Sequence, residues 1–131
     1  MALLYSVIWL NFTVRFTGDA AKGAVCSTTG VPLEEMKEGA AFKERFEKRF
    51  PGQKVQGFAP FAYDAVLTLV EAIKKAGSTE PAKVAEAMKG ITATGLSGSI
   101  AFDDATGERK DTEITILQEK DKKFVIVDKI K

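Results

Sequence analysis

Apolar residues recur along this chain with two different periods, and the change from one to the other divides it. Within 33–50, Phe42, Phe46 and Phe50 stand four apart, which places them on one helical face. Lys43, Glu44, Arg45, Glu47, Lys48 and Arg49 fill the positions between them. The pattern predicts a helix over 33–50, stopped by Pro51-Gly52, with an aromatic stripe that reads as core rather than ligand site. The span 60–75 is the strongest element. Its polar residues Asp64, Thr68, Glu71 and Lys75 form one narrow stripe, while Phe61, Ala65, Val66, Leu69, Val70 and Ile73 cover most of the circumference. A helix apolar on so many sides is buried on most of them, so it requires neighbours on two flanks. Gly77 ends it. Pro81 opens a third helix over 81–89, closed by Gly90.

Elsewhere the signals are those of strands and turns. Residues 17–22 predict a short turn of helix, 23–28 a strand, and Gly30-Val31-Pro32 a break. After Gly90, 98–102 reads as a strand and 103–107 as a turn, with Gly107 suited to positive φ. The β-rich runs 112–118 and 123–128 form a hairpin whose charged loop is Glu119-Lys120-Asp121-Lys122. There is no internal repeat, low-complexity tract or long linker. Strand, three helices, then strands is an α/β or α+β order. Three short strands and two further helices are little cover for the helix at 60–75. The chain therefore reads as a piece of something larger, or as a subunit that covers itself by association.

Composition narrows the chemistry. The 131 residues are 45% hydrophobic and 28% charged, which is ordinary globular composition. A formal charge of +1, with basic and acidic residues interleaved, offers no concentrated basic face for nucleic acid. Histidine is absent and Cys26 is the single cysteine. That excludes an intrachain disulfide and the usual Ser-His-Asp and Cys-His devices, and leaves no expected metal site or cofactor. Cys26 reads as a small buried strand residue; the alternatives are a reactive thiol or a lipid-bearing cysteine. Asp103-Asp104 invites a calcium reading, but the EF-hand spacing is missing and a turn is favoured. In that pair and in Glu34-Glu35, adjacent side chains diverge, so neither makes a catalytic acid/base pair. The apolar start, Met1 to Leu10, is shorter than the roughly 20 residues that cross a bilayer. It also lacks a basic start and cleavage site, so no signal peptide is visible. It reads either as a strand or as non-native leader sequence.

Residues 58–88, from Phe58-Ala-Pro-Phe-Ala-Tyr-Asp through Lys83-Val-Ala-Glu-Ala-Met88, closely resemble the type I periplasmic binding proteins of the leucine/isoleucine/valine group. Three further segments agree in order. Gly18-Asp-Ala-Ala-Lys-Gly23 is similar to the family's turn before a crossing strand. Ala41-Phe-Lys-Glu-Arg-Phe-Glu-Lys-Arg-Phe50 is similar to its amphipathic helix. Gly95-Leu-Ser-Gly-Ser-Ile-Ala-Phe-Asp-Asp104 is similar to its Gly-x-x-Gly-x-x-x-Phe-Asp segment. The resemblance runs from about residue 16 to the end. Residues 1–15 depart from it, for they lack the family's Asp-Pro segment.

The resemblance implies a partial type I periplasmic-binding-protein fold of α/β class: three helices with a crossing strand and a C-terminal β-hairpin. Residues of about 30–112 would belong to the first of two lobes, and 23–28 with 113–131 to the second. The implied function is capture of branched-chain amino acids or related small solutes for ABC-type uptake, with an ABC permease as partner of the intact parent. Its place would be periplasmic or at the cell surface, and no catalysis is implied. A receptor module of the same fold, or a truncated reading frame without function, is the alternative. The family's aromatic cleft contact falls on Phe58, which reads equally as a core residue at the helix start. Most polar ligand contacts would lie upstream, so amino-acid binding by this chain is expected to be weak or absent. Uncovered helix faces are expected to drive self-association.

Overall fold

A computed structural model describes residues 5–6 and 18–131 of the chain. In order it contains β1 (Tyr5–Ser6), β2 (Val25–Thr29), α1 (Gly39–Arg49), α2 (Ala59–Ala76), α3 (Pro81–Met88), β3 (Thr92–Gly95), β4 (Gly98–Ala101), β5 (Ile114–Lys120) and β6 (Lys123–Ile130). Single turns of 3-10 helix lie at Gly18–Ala21 and Leu33–Glu35. Two compact units emerge. One combines the described residues up to Val31 with Asp111–Lys131; the other is Pro32–Lys110. The chain thus passes from one unit to the other twice. Of the segment expected to be strand or leader, Tyr5 and Ser6 are strand; the rest of 1–15 lies outside the described residues.

The first unit is a four-stranded sheet in the order β1-β2-β5-β6. β1 runs parallel to β2, and the other pairings are antiparallel. Cys26, Leu117 and Ile126 align in one row across three strands, and with Phe124 they form this unit's core cluster. Side chains opposite one another on one sheet face are the natural unit of such a core. Where Ile116 and Leu117 pair with Asp128 and Ile126, Val127 is skipped, which is a bulge of one extra residue. The strands run further than the sequence pattern predicts. Glu119 and Lys120 lie in β5, and only Asp121 and Lys122 turn, both with positive φ (51° and 63°). A two-residue turn with both φ values positive matches the twist of a hairpin. Glu119 is not part of a solvated loop. Its carboxylate is buried and accepts the backbone N–H of Lys122 at 2.5 Å and of Gly23 at 3.0 Å.

The second unit departs from expectation at both ends of its helical stretch. The helix predicted over 33–50 begins at Gly39. Pro32 opens a separate 3-10 turn, and the chain folds back so closely that a Cβ on residue 39 would sit 1.8 Å from the Leu33 carbonyl oxygen. Only glycine permits this approach. At the other end, strand β3 was not evident from the pattern. It pairs with β4 through a hairpin in which Gly95 faces Gly98. The aromatic stripe of α1, predicted to be core, is only partly packed: Phe42 is buried with its ring 5.4 Å from Tyr63 on α2, Phe46 is half-buried, and Phe50 at the helix end is exposed.

The orientation of α2 is the main surprise. Its buried residues are Pro60, Asp64, Thr68 and Ala72, a single i,i+4 line. Ala72 joins Val84 of α3 and Ile91 in a core cluster. Asp64, 2% exposed, accepts the N–H of Leu96 and of Ser97, each at 2.8 Å, and the Ser97 hydroxyl at 2.5 Å. Thr68 returns its hydroxyl to the Asp64 carbonyl at 2.8 Å. Part of the polar stripe thus faces inward, while Tyr63, Val66, Leu67, Leu69 and Val70 face out, Val66 at 61% exposure. A carboxylate holding two backbone N–H groups and a hydroxyl out of water is stable only because its acceptor positions are filled. These apolar positions of α2 are exposed among the described residues.

Candidate functional site

Phe58 stands immediately before α2 with backbone angles φ −92° and ψ −4°, and its carbonyl accepts the N–H of Ala62 at 3.0 Å. Its side chain is 51% exposed and lies 6.4 Å from the Phe61 ring, centroid to centroid. Pro60 is buried in the first turn of α2, whereas Tyr63 is exposed, its ring tilted against that of Phe42.

The concave features of the second unit lie on the buried side of α2. Phe61, Met88, Ile100 and Phe102 help line an apolar cavity of about 220 Å³, with Asp64 and Arg109 at its edge. A larger groove of about 500 Å³ runs between α2 and β3. Arg109 donates to the Ser97 hydroxyl at 2.9 Å and to the carbonyls of Ser97 and Ser99 at 3.1 and 2.8 Å. Asp64, Ser97 and Arg109 therefore form one polar chain that holds the β3–β4 turn. The pattern analysis placed Asp64 in a polar stripe and gave Ser97 and Arg109 no role. The signal available was an acidic residue on a helix otherwise rich in apolar positions, together with a Gly-Leu-Ser-Gly turn.

The remaining candidates take structural places. Asp103 Oδ1 accepts the N–H groups of Thr106 and Ala105, both at 2.9 Å. These bonds hold its carboxyl below the usual carboxylate range, Thr106 foremost. Asp104 accepts the N–H of Gly90 at 3.1 Å. Both aspartates thus fix turns. Glu34 and Glu35 sit on the exposed 3-10 turn. Among the described residues no group of three or more acidic, cysteine or histidine side chains could hold a metal ion. Cys26 is fully buried, and burial pushes its thiol up from the ordinary value, outweighing a backbone hydrogen bond with Leu117 that lowers it.

Two units linked by two chain crossings, one holding three helices and the other a four-stranded sheet that ends in a hairpin, make up a partial α/β fold of the type I periplasmic-binding-protein kind. The chain belongs to the periplasmic binding protein family, whose model matches residues 1–123 and so takes in residues 1–15 as well. It is 31% identical over 102 residues to the leucine-, isoleucine-, valine-, threonine- and alanine-binding protein of Pseudomonas aeruginosa, a match covering 77% of this chain and 26% of that protein. A leucine-binding protein of Thermotoga maritima has the same fold, with a TM-score of 0.75 at 22% identity over 97% of this chain and 36% of the other. An ABC transporter substrate-binding protein of Desulfitobacterium hafniense, solved in complex with leucine, gives a TM-score of 0.71 at 26% identity, with the same coverage of 97% and 36%. The chain thus spans about a quarter to a third of the length of these relatives. No helix among the described residues is long and apolar enough to cross a membrane.

Thiolate chemistry requires both exposure and a lowered pKa, and Cys26 has neither. The native chain is expected to resist Ellman's reagent at pH 8 and to react stoichiometrically once unfolded in urea. Rapid reaction of the native chain would contradict the structural placing of this thiol.

Proposed function

We propose that this chain corresponds to the last third of an extracytoplasmic solute-binding protein, one that captures branched-chain amino acids or related small solutes for uptake through an ABC permease. The observation that carries the reading is the combination of family membership with an α2 whose apolar side has no cover within the described residues. In this reading, residues of about 30–112 belong to a first lobe, and 23–28 with 113–131 to a second. The parent acts in the periplasm or at the cell surface, by binding and not by catalysis. Its two lobes close on the solute, and the closed form is what the permease reads.

Phe58 suits the wall of an aliphatic pocket. It is an aromatic ring left half in solvent at the start of a rigid helix, and such a ring offers apolar contact without competing hydrogen bonds. One such wall supplies at most about 1.5–3 kcal/mol of apolar burial, whereas micromolar affinity requires about 8 kcal/mol. The chain by itself is therefore expected to bind amino acids weakly or not at all.

A chimaera tests the reading. Residues 16–131 would replace the matching segment of the Pseudomonas aeruginosa relative, and leucine, isoleucine and valine would be titrated calorimetrically. The chimaera is expected to bind at least one of them at micromolar concentration, with Phe58→Ala weakening binding about tenfold, the loss of a well-placed apolar contact. The 131-residue chain should show no saturable heat. A chimaera that folds but binds none of the three would overturn the assignment.

Open apolar faces also favour contact between copies. Light scattering on the purified chain is expected to show dimers or larger species at high concentration, reduced by Val66→Gln. A clean monomer throughout would remove self-association from the account.

A further inference from the structure

We infer that the apolar cavity beside α2 is a binding site for a small neutral aromatic molecule of one-ring size. Its walls are Phe61 and Ala65 of α2, Met88 at the end of α3, Ile100 of β4 and Phe102 beyond it, all within the second unit. Its volume is about 220 Å³. An apolar cavity of about 150 Å³ stays dry and takes up benzene, whereas drug-sized ligands occupy about 300–1,000 Å³. The walls are fixed before any ligand arrives. Phe102 and Arg109 pair in an antiparallel bridge, and the Lys110 N–H donates to the Ala101 carbonyl at 2.8 Å. A preformed site loses little ordering entropy on binding.

The chemistry of the walls selects the ligand. The polar residues along the cavity are Asp64, Thr68 and Arg109, and all three are engaged within the chain. The Thr68 hydroxyl donates to the Asp64 carbonyl, the Asp64 carboxylate accepts from Leu96 and Ser97, and Arg109 donates to Ser97 and Ser99. An ordered water needs two to four polar partners, and here they are already committed. An empty apolar space forfeits the dispersion contacts of its lining. A neutral ring restores them: Phe61 and Phe102 supply aromatic contact, and the Met88 sulfur packs favourably against a ring. A charged ligand would leave water without a counter-charge of its own, because Asp64 and Arg109 are spoken for. The groove beside β3 differs, for Glu71, Lys75, Thr92 and Thr94 help line it. The site needs neither the first unit nor an amino-acid solute, so it does not depend on the proposed function.

Nuclear magnetic resonance of the whole chain, with carbon-13 in the methyl groups of its three methionines, tests the site with toluene as the probe. Met88 lies in the cavity wall, whereas Met36 is buried and does not line it. Toluene is expected to shift the Met88 signal saturably, with half-saturation at about 1 mM, and to leave Met36 in place. Benzoate and benzylamine, charged molecules of similar size, should shift neither signal. Ala65→Phe, at an exposed position on the cavity rim, should fill the space and weaken toluene binding at least about tenfold. Val66→Gln, one residue along and outside the lining, should leave the titration unchanged. A Met88 signal that toluene does not move would overturn the site, as would an equal response to the charged molecules or an unchanged affinity in Ala65→Phe. Loss of binding in Val66→Gln would place toluene on the open face of α2 and overturn it as well.

Discussion

The carboxylate of Asp64, held out of water beneath α2, is the constraint on which the second unit depends. It accepts two backbone N–H groups and the hydroxyl of the β3–β4 turn. The approach is close enough that a Cβ on Gly95 would lie 2.4 Å from the Asp64 side-chain carbon. Hydrogen bonds to a charged group are worth about 1.5–3 kcal/mol each, and a buried group left unpaired costs a similar amount. Loss of this carboxylate would therefore release the hairpin and, through Ser97, the Arg109 side chain that secures the approach to the second crossing.

This anchoring fixes which way α2 faces. With Asp64, Thr68 and Ala72 turned toward the hairpin and α3, helical geometry sends Val66, Leu69 and Val70 to the outside. An apolar face of that extent on a stable protein normally marks a contact surface. The relatives this chain matches are about three times its length by their coverage of 36% and 26%, in keeping with the proposal that the second flank of α2 packs against further polypeptide. The same logic applies on a smaller scale to β6, where Val125, Val127 and Ile130 are also left exposed.

Much of this was legible in the residues. Period and punctuation located all three helices, because Pro51, Gly77, Pro81 and Gly90 act locally and their effects do not depend on distant partners. The C-terminal hairpin was equally clear. What the sequence hid was tertiary. Nothing local shows that Leu33 and Gly39 touch, so the break before α1 was invisible. Thr92-Ala-Thr-Gly95 is too short and too polar to announce a strand without Ser99 and Ile100 opposite it. Glu119 reads as a loop charge until Gly23, far away in sequence, supplies an N–H. Most of all, the polar stripe on α2 suggested a solvent-facing side, whereas the need to hold a turn's N–H groups buries Asp64 and Thr68. Phe58 was legible as a candidate only through family resemblance, since an exposed aromatic at a helix start carries no chemistry by itself.

The inverted burial of α2 can be measured directly by urea unfolding of two variants at low protein concentration, followed by far-ultraviolet circular dichroism. Asp64→Ala, at a polar position, should lower the unfolding free energy of the second unit by about 3 kcal/mol, as expected when a buried hydrogen-bonded network is broken. Val66→Gln, at an apolar position, should change it by less than about 0.5 kcal/mol, the range for exposed sites. The opposite ranking, with Val66→Gln costly and Asp64→Ala harmless, would show that the apolar face is already covered and that the carboxylate holds nothing in place.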